Sequence, residues 1–220
     1  MKLYSFFRSG TSHRLRIALN LKGLAYQLAP IDLRTEQHLQ PGYQAIHPQG
    51  LVPAVGLETA AGSGAERVLI QSPAIIEWLE EHHPTPPLLP RDPEQRVHVR
   101  ALAAIVGCDI HPVNNRRILE SLRHDFKADE TAINRWCATW IAQGFDAIEA
   151  LLAADPQRGE FCFGDAPTLA DVYLVPQVES ARRFKVDVGH WRRIQGIDDA
   201  CRKLEAFRKA APAAQPDATA

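Results

Sequence analysis

The stretch PTPPLLPRDP, residues 84 to 93, is the most proline-dense part of the chain. Each proline lacks an amide hydrogen and fixes its φ angle, so neither a helix interior nor a central strand can run through the segment. The chain has to divide there, and its two sides read differently. Before the stretch, short apolar runs alternate with helical patterns. Beyond it, every periodic segment is helical.

On the N-terminal side, residues 3 to 7 form an apolar run that predicts a buried strand. HRLRIALNLKG follows with Leu15, Ile17, Ala18, Leu19 and Leu21 at helical spacing and Gly23 as a stop. Tyr26, Leu28, Ile31 and Leu33 then predict a second strand, which makes the opening a βαβ unit with parallel pairing. GLVPAVGLE and VLIQ read as a hairpin joined through the small-residue stretch TAAGSGAER. Ser72 and Pro73 open a further helix that Pro84 ends. Residues 1–83 thus read β-α-β-α-β-β-α, an α/β domain, with 84–93 as linker. Residues 94–211 read as an all-α domain, with helices over 94 to about 123 and 129 to about 154. Another helix begins where Thr168 and Asp171 stand at capping-box spacing. KAAPAAQPDATA is small and proline-containing, and 212–220 are expected to be a disordered tail.

Twenty-five Lys and Arg residues against 26 Asp and Glu leave a formal charge of −1, so no basic field argues for a nucleic-acid partner. No apolar run approaches the roughly 18 residues of a membrane span, and Arg8 interrupts the N-terminus before a signal-peptide core can form. The expected compartment is the cytoplasm. Cys108, Cys137, Cys162 and Cys201 are too widely spaced for a zinc site or a CxxC pair, so no metal is expected and the thiols read as reduced.

Three features gather at strand-to-helix junctions of the first domain. Arg8-Ser9-Gly10-Thr11-Ser12 offers hydroxyls and exposed amides at a helix N-terminus, where a thiolate, phosphate or carboxylate is stabilised. Gln71-Ser72 occupies the matching place at the later helix, where the plain alternative is an ordinary N-cap. Pro53 belongs at an edge, a bulge or a turn entry. A cis Val52-Pro53 bond is the sharper alternative, and it would turn the Val52 backbone toward a ligand. No cysteine lies in the first 107 residues, so a thiol used there would be borrowed.

These residues carry a family resemblance. The order β-α-β-α-β-β-α, with VP before the third strand and QS before the third helix, is similar to the glutathione transferase fold, a thioredoxin-like domain followed by a helical bundle. FFRSGTSHRLRIALNLKGLAY, HPQGLVPAV, IQSPAIIEWLEE, PPLLPRDP, DIHPVNN, PTLADVYLVPQVESARRFKVD and the terminal QPD resemble the zeta class over essentially the whole chain. That class implies a glutathione-dependent cis–trans isomerase, nearest to the bacterial members that convert maleylpyruvate to fumarylpyruvate. Maleylacetoacetate isomerisation and detoxifying conjugation are the alternatives. Many zeta members have Ser-Cys where this chain has Gly10-Thr11, which excludes a mechanism requiring an enzyme cysteine there.

By the resemblance, Ser9 donates a hydrogen bond to the glutathione thiolate, assisted by Thr11 or the nearby helix amides, against the plainer reading of Ser9 as a turn or N-cap residue. Gln71 and Ser72 hold the γ-glutamyl end, Val52 the cysteinyl backbone, and His38 the glycyl end. His111 and Asn115 wall the site, against the plainer reading of a solvated or capping pair. Arg8 and Arg183 bind the dicarboxylate substrate, and Arg8 is also catalytic. Arg14, Arg16 and Arg182 are expected to be surface or structural residues, with a solvated helix face as the plain alternative. A homodimer is implied as well.

Overall fold

The computed structural model describes residues 1–58 and 67–218. It divides into two compact units, one made of Met1–Leu88 with Leu204–Ala220, the other of Leu89–Lys203. The division falls inside the proline-dense stretch. The hairpin tip expected from TAAGSGAER lies, at 59–66, outside the described residues.

The first unit contains β1 (Lys2–Ser5), α1 (Gly10–Leu21), β2 (Gln27–Pro30), a short α2 (Pro41–Gln44), β3 (Ala54–Leu57), β4 (Arg67–Ile70), α3 (Ser72–His82) and, from the other end of the sequence, α9 (Glu205–Ala210). The sheet order is β2-β1-β3-β4. β1 pairs parallel with β2, Leu3 opposite Leu28, as a βαβ unit requires, and antiparallel with β3, Leu3 opposite Val55. Because alternate residues of a strand face opposite ways, Tyr4 and Ala54 share one face, where they meet Phe6, Ile31, Tyr43 and Val52. α1 ends as the sequence predicts: Gly23 takes φ +66°, Gly23 N donates to Asn20 O and Leu24 N to Leu19 O.

The start of the proline segment is tied down by a buried charge. Lys22 Nζ, fully shielded, donates to Glu80 Oε2 at 2.7 Å and to the carbonyls of His83 and Pro86 at 2.7 and 3.0 Å. The Glu80 carboxylate also accepts from Leu88 N. A buried ammonium is tolerable only with such a full set of acceptors.

Segment 204–218 departs from the sequence expectation. α9 belongs to the first unit, and residues 212–218, expected as a disordered tail, form two short 3₁₀ turns. Gln215 is buried, with Nε2 donating to Lys209 O and Ala211 O. Gln215, together with Asp217, whose Oδ2 accepts from Phe7 N at 2.9 Å, thus supplies the anchorage that composition alone does not show.

The second unit is helical: α4 (Pro93–Ala104), α5 (Arg116–His124), α6 (Glu130–Ala154), α7 (Leu169–Arg183) and α8 (Arg192–Lys203). Asp92 and Asp129 cap α4 and α6, their carboxylates accepting from Gln95 N and Ala132 N. Asp171, fully buried, accepts from Thr168 N at 2.7 Å and Cys162 N at 2.9 Å, so the capping box also ties α7 to the loop before it. The single helix expected over 94 to 123 is interrupted. A π turn spans Ile105–Ile110, with His111 N reaching Val106 O, and Pro112 and the turn after it separate α4 from α5. α6 crosses the π turn at Gly144, where a Cβ would run into the Ile110 side chain. Among the described residues no helix is long and apolar enough to cross a membrane.

Candidate active site

At the β1–α1 junction the chain leaves the sheet at Ser5 and enters α1 with Ser9 as N-cap, in extended conformation at φ −69° and ψ 123°. Ser9 Oγ accepts from Ser12 N at 3.3 Å. It also lies 2.9 Å from Thr11 Oγ1, and Thr11 Oγ1 donates to Val52 O at 2.8 Å. A threonine hydroxyl has one proton, so with that proton on Val52 O the bond between the two hydroxyls is donated by Ser9. A chain of hydroxyls therefore joins the α1 N-terminus to the segment before β3. The first turn of α1 contains no acidic residue, which leaves the positive end of its dipole uncompensated.

The second junction lies at α3. Gln71 takes the cap position with φ 68° and ψ 106°, a conformation that costs a non-glycine residue about 1–3 kcal/mol. Ser72, expected as the cap, is instead the first helical residue. Its Oγ accepts from Arg14 at 3.4 Å, which leaves the Ser72 proton to donate elsewhere. Gln71 Nε2 donates to Gln49 Oε1 at 2.6 Å. Val52-Pro53 is cis, and Pro53 stands just ahead of β3, an interior strand of the sheet. His38 is half-buried in a 3₁₀ turn over Gln37–Leu39, beside Gly50, where a Cβ would press on the His38 carbonyl at 2.9 Å. Gly50 itself takes φ +59°.

The arginines separate by burial. Arg8 is exposed, its guanidinium 5.8 Å from the Phe7 ring centre. Arg14 and Arg16 are buried, at 3 % and 0 % exposure, so the solvated-face alternative fails for both. Burial draws the Arg16 guanidinium down to about 10, partly offset by Tyr26 and Asp217. In the second unit Arg182 is paired with the buried carboxylate of Asp198 at 2.7 Å. Its neighbour Arg183 is exposed, donates to Ser180 Oγ at 3.2 Å and lies over the Phe184 ring. His111 follows the π turn directly.

Residues 8–82 match the glutathione S-transferase N-terminal domain and residues 130–212 the glutathione S-transferase C-terminal domain. The chain is 66% identical over 217 residues to a maleylpyruvate isomerase of a Ralstonia species, covering 99% of each. The chain belongs to the zeta class of glutathione transferases. A holo structure of maleyl pyruvate isomerase, described as a bacterial glutathione S-transferase of that class, superposes with a TM-score of 0.93 at 66% identity, covering 99% of each chain. A maleylacetoacetate isomerase from Anaeromyxobacter dehalogenans with glutathione bound in its active site superposes at 0.87 and 41% identity, over 99% of this chain and 97% of that one.

Within this transferase, the three buried thiols of the second unit are poor nucleophiles. Burial pushes Cys137 up to about 11 and raises Cys162 and Cys201 further. Cys108 is exposed, and no cysteine is in a disulfide. Among the described residues no three His, Cys, Asp or Glu side chains gather as a metal site would need. Asn115 caps α5, with Oδ1 accepting from Arg117 N at 3.2 Å. Its neighbour Asn114, passed over in the sequence, is the buried member of the pair, and neither atom of its amide has a partner among the described residues. The Asn-Asn doublet was visible, but which residue faces inward depends on where the π turn ends.

Proposed function

We propose that this chain is a glutathione-dependent cis–trans isomerase that converts maleylpyruvate to fumarylpyruvate. The observation that carries the reading is the 66% identity, over 99% of both chains, to a maleylpyruvate isomerase. The donor set of the first unit fits glutathione: two helix N-termini without acidic residues in their first turns, and hydroxyls at Ser9 and Ser72. These suit a ligand with a thiolate on its central residue and a carboxylate at each end. When bound, glutathione supplies a thiolate that adds reversibly to the cis double bond and leaves after rotation about the single bond so formed.

The chain's own residues hold and polarise. The Ser9 hydroxyl turns its proton from Thr11 to the thiolate, while Thr11 stays on Val52 O and keeps the two segments in register. Ser72 donates its proton to the γ-glutamyl carboxylate beside Gln71, Val52 offers its backbone to the cysteinyl residue, and His38 approaches the glycyl end. In this reading His111 and Asn115 line the same ligand, Asn115 through the residual capacity of its capping side chain. Arg8, next to the thiol junction, stabilises negative charge developing on the substrate's carbonyl oxygen, and Arg183 holds a carboxylate. Both leave the reacting torsion free.

Maleylpyruvate and maleylacetoacetate should be assayed side by side by absorbance, with and without glutathione. Turnover that needs glutathione without consuming it, faster on maleylpyruvate, supports the proposal. Turnover without glutathione, or stoichiometric conjugate, overturns it. Free thiols and a glutathione requirement both suit the cytoplasm. In this reading the chain is also a homodimer, since closed twofold pairing is the commonest soluble assembly. Light scattering at micromolar concentration should give twice 24.5 kDa, and a monomer mass would refute the dimer.

A further inference from the structure

The segment that carries Arg8 and Ser9 is held by the far end of the sequence. Phe7 N donates to Asp217 Oδ2 at 2.9 Å, across 210 residues of chain. The carbonyls of the same loop are held by Arg16, whose NH2 donates to Phe7 O at 2.9 Å and whose NH1 reaches Ser5 Oγ at 3.0 Å and Phe6 O at 3.5 Å. The third nitrogen of that guanidinium, Nε, donates to Ala210 O at 2.9 Å. Arg16 therefore spans from the loop to the end of α9, and Asp217 returns from the turn beyond α9 to the loop. Gln215, buried and bonded to Lys209 O and Ala211 O, fixes the turn from which Asp217 projects. Arg34, 6.0 and 5.9 Å from the Phe6 and Phe7 ring centres, adds a second positive charge near Asp217.

We propose that Gln215–Ala218 is a strap and that Asp217, with Arg16, is a positioning residue for the thiol site. Phe7 immediately precedes Arg8 and Ser9, so the direction in which both side chains leave the backbone follows from the Phe7 peptide groups. That backbone lies between a strand and a helix, outside both ladders, and its amide would otherwise lack a partner in the protein. The carboxylate supplies that partner as a charge-assisted acceptor, and the fork of Arg16 fixes the opposite side. The contacts to glutathione through Gln71, Ser72 and Val52 do not involve the strap. Its loss should therefore affect the reaction more than the binding. This role in turnover rests on the isomerase reading given above, whereas the restraint on the loop does not.

Three proteins test it: Asp217→Ala, Asp217→Asn, and a chain stopped after Gln215, which keeps every acceptor of the Arg16 hydrogen bonds. Hydrogen exchange of the peptide covering residues 5 to 9 reads the strap without any ligand. Asp217→Ala and the shortened chain should exchange there at least about tenfold faster, with the interior of α1 unchanged, as loss of a charged acceptor implies. Their kcat should fall about tenfold while calorimetric glutathione affinity stays within about twofold. Asp217→Asn, whose side-chain carbonyl still accepts from Phe7 N, should recover most of both effects. Wild-type exchange in Asp217→Ala overturns the strap. So does a freed loop with wild-type kcat, or an Asn variant as impaired as the Ala variant. If the unaltered protein shows no glutathione-dependent isomerisation, the isomerase reading fails, and exchange still decides whether Asp217 restrains the loop.

Discussion

Replacing Ser9 by alanine removes two separate things, and the geometry sets the size of each. The first is the acceptor for Ser12 N; at 3.3 Å this is a long capping bond, so its loss should cost about 0.5–1 kcal/mol, the low end of the capping range. The second, by the role proposed for Ser9, is a donor to the bound thiolate. In the free protein that proton already has a partner, Thr11 Oγ1 at 2.9 Å, so binding exchanges a neutral hydrogen bond for a charged one. A charged bond is worth roughly 1.5–3 kcal/mol and a neutral one about 0.5–1.5, which leaves a net of about 1 kcal/mol. At 1.36 kcal/mol per pH unit, the glutathione thiol bound to Ser9→Ala should titrate about 0.7 units higher. The sign is fixed: the bound thiol's pKa rises, so the limb of the rate profile that follows thiolate moves to higher pH by the same amount. Below that limb the rate falls about fivefold. Ultraviolet titration of the thiolate band in the enzyme–glutathione complex measures the shift, urea denaturation measures the cap, and Ser9→Thr should restore both. An unchanged thiol pKa would remove Ser9 from the thiol site. A rise beyond about 2 units would refute the argument that its proton is first held by Thr11.

Arg8→Met should lower kcat and kcat/KM together, whereas Arg183→Met should chiefly raise KM; steady-state kinetics with both variants at wild-type values would refute their assignment to the substrate. Asp171→Ala leaves the buried amides of Cys162 and Thr168 without their acceptor, so the urea midpoint should fall by an amount equal to at least about 2 kcal/mol. Asn114→Leu puts an apolar group of similar size where an amide has no partner among the described residues. It should leave the melting temperature within about 3 °C of wild type yet weaken glutathione's stabilising shift, if that amide is completed by the ligand. An unaltered shift would show that it is not.

Much of the first unit is legible because its strands and helices are short and bounded by residues with a mechanical role. Gly23 ends α1 and the proline stretch ends α3; in the second unit Thr168 with Asp171 opens α7 in the same way. The features that were not legible depend on partners distant in sequence. Arg14 and Arg16 stand among apolar residues at helical spacing, and nothing local tells a buried guanidinium from a solvated one; the acceptors of Arg16 at Phe7 and Ala210 decide it. Residues 94 to 123 keep a helical pattern because a π turn adds only one residue to the hydrogen-bonded ring, too small a change in period to see in side-chain polarity. The strand-to-helix junctions were visible as turns carrying hydroxyls ahead of helices, while the hydroxyl chain from Ser9 to Val52 needs two segments 41 residues apart to be adjacent.

The return of residues 204–218 to the N-terminal unit bears on biosynthesis. A ribosome synthesises the whole of Leu89–Lys203, a helical unit with its own core, before it makes Ala210 and Asp217. Until then Arg16 is committed to an interior that lacks one of its acceptors, and Phe7 has no carboxylate to bond. The order of completion on the ribosome is therefore the reverse of the order of synthesis: the half made first is finished last. Chains ending at residue 203 and freed from the ribosome should display a protease-sensitive N-terminal half beside a resistant helical one, a difference that the full chain should not show.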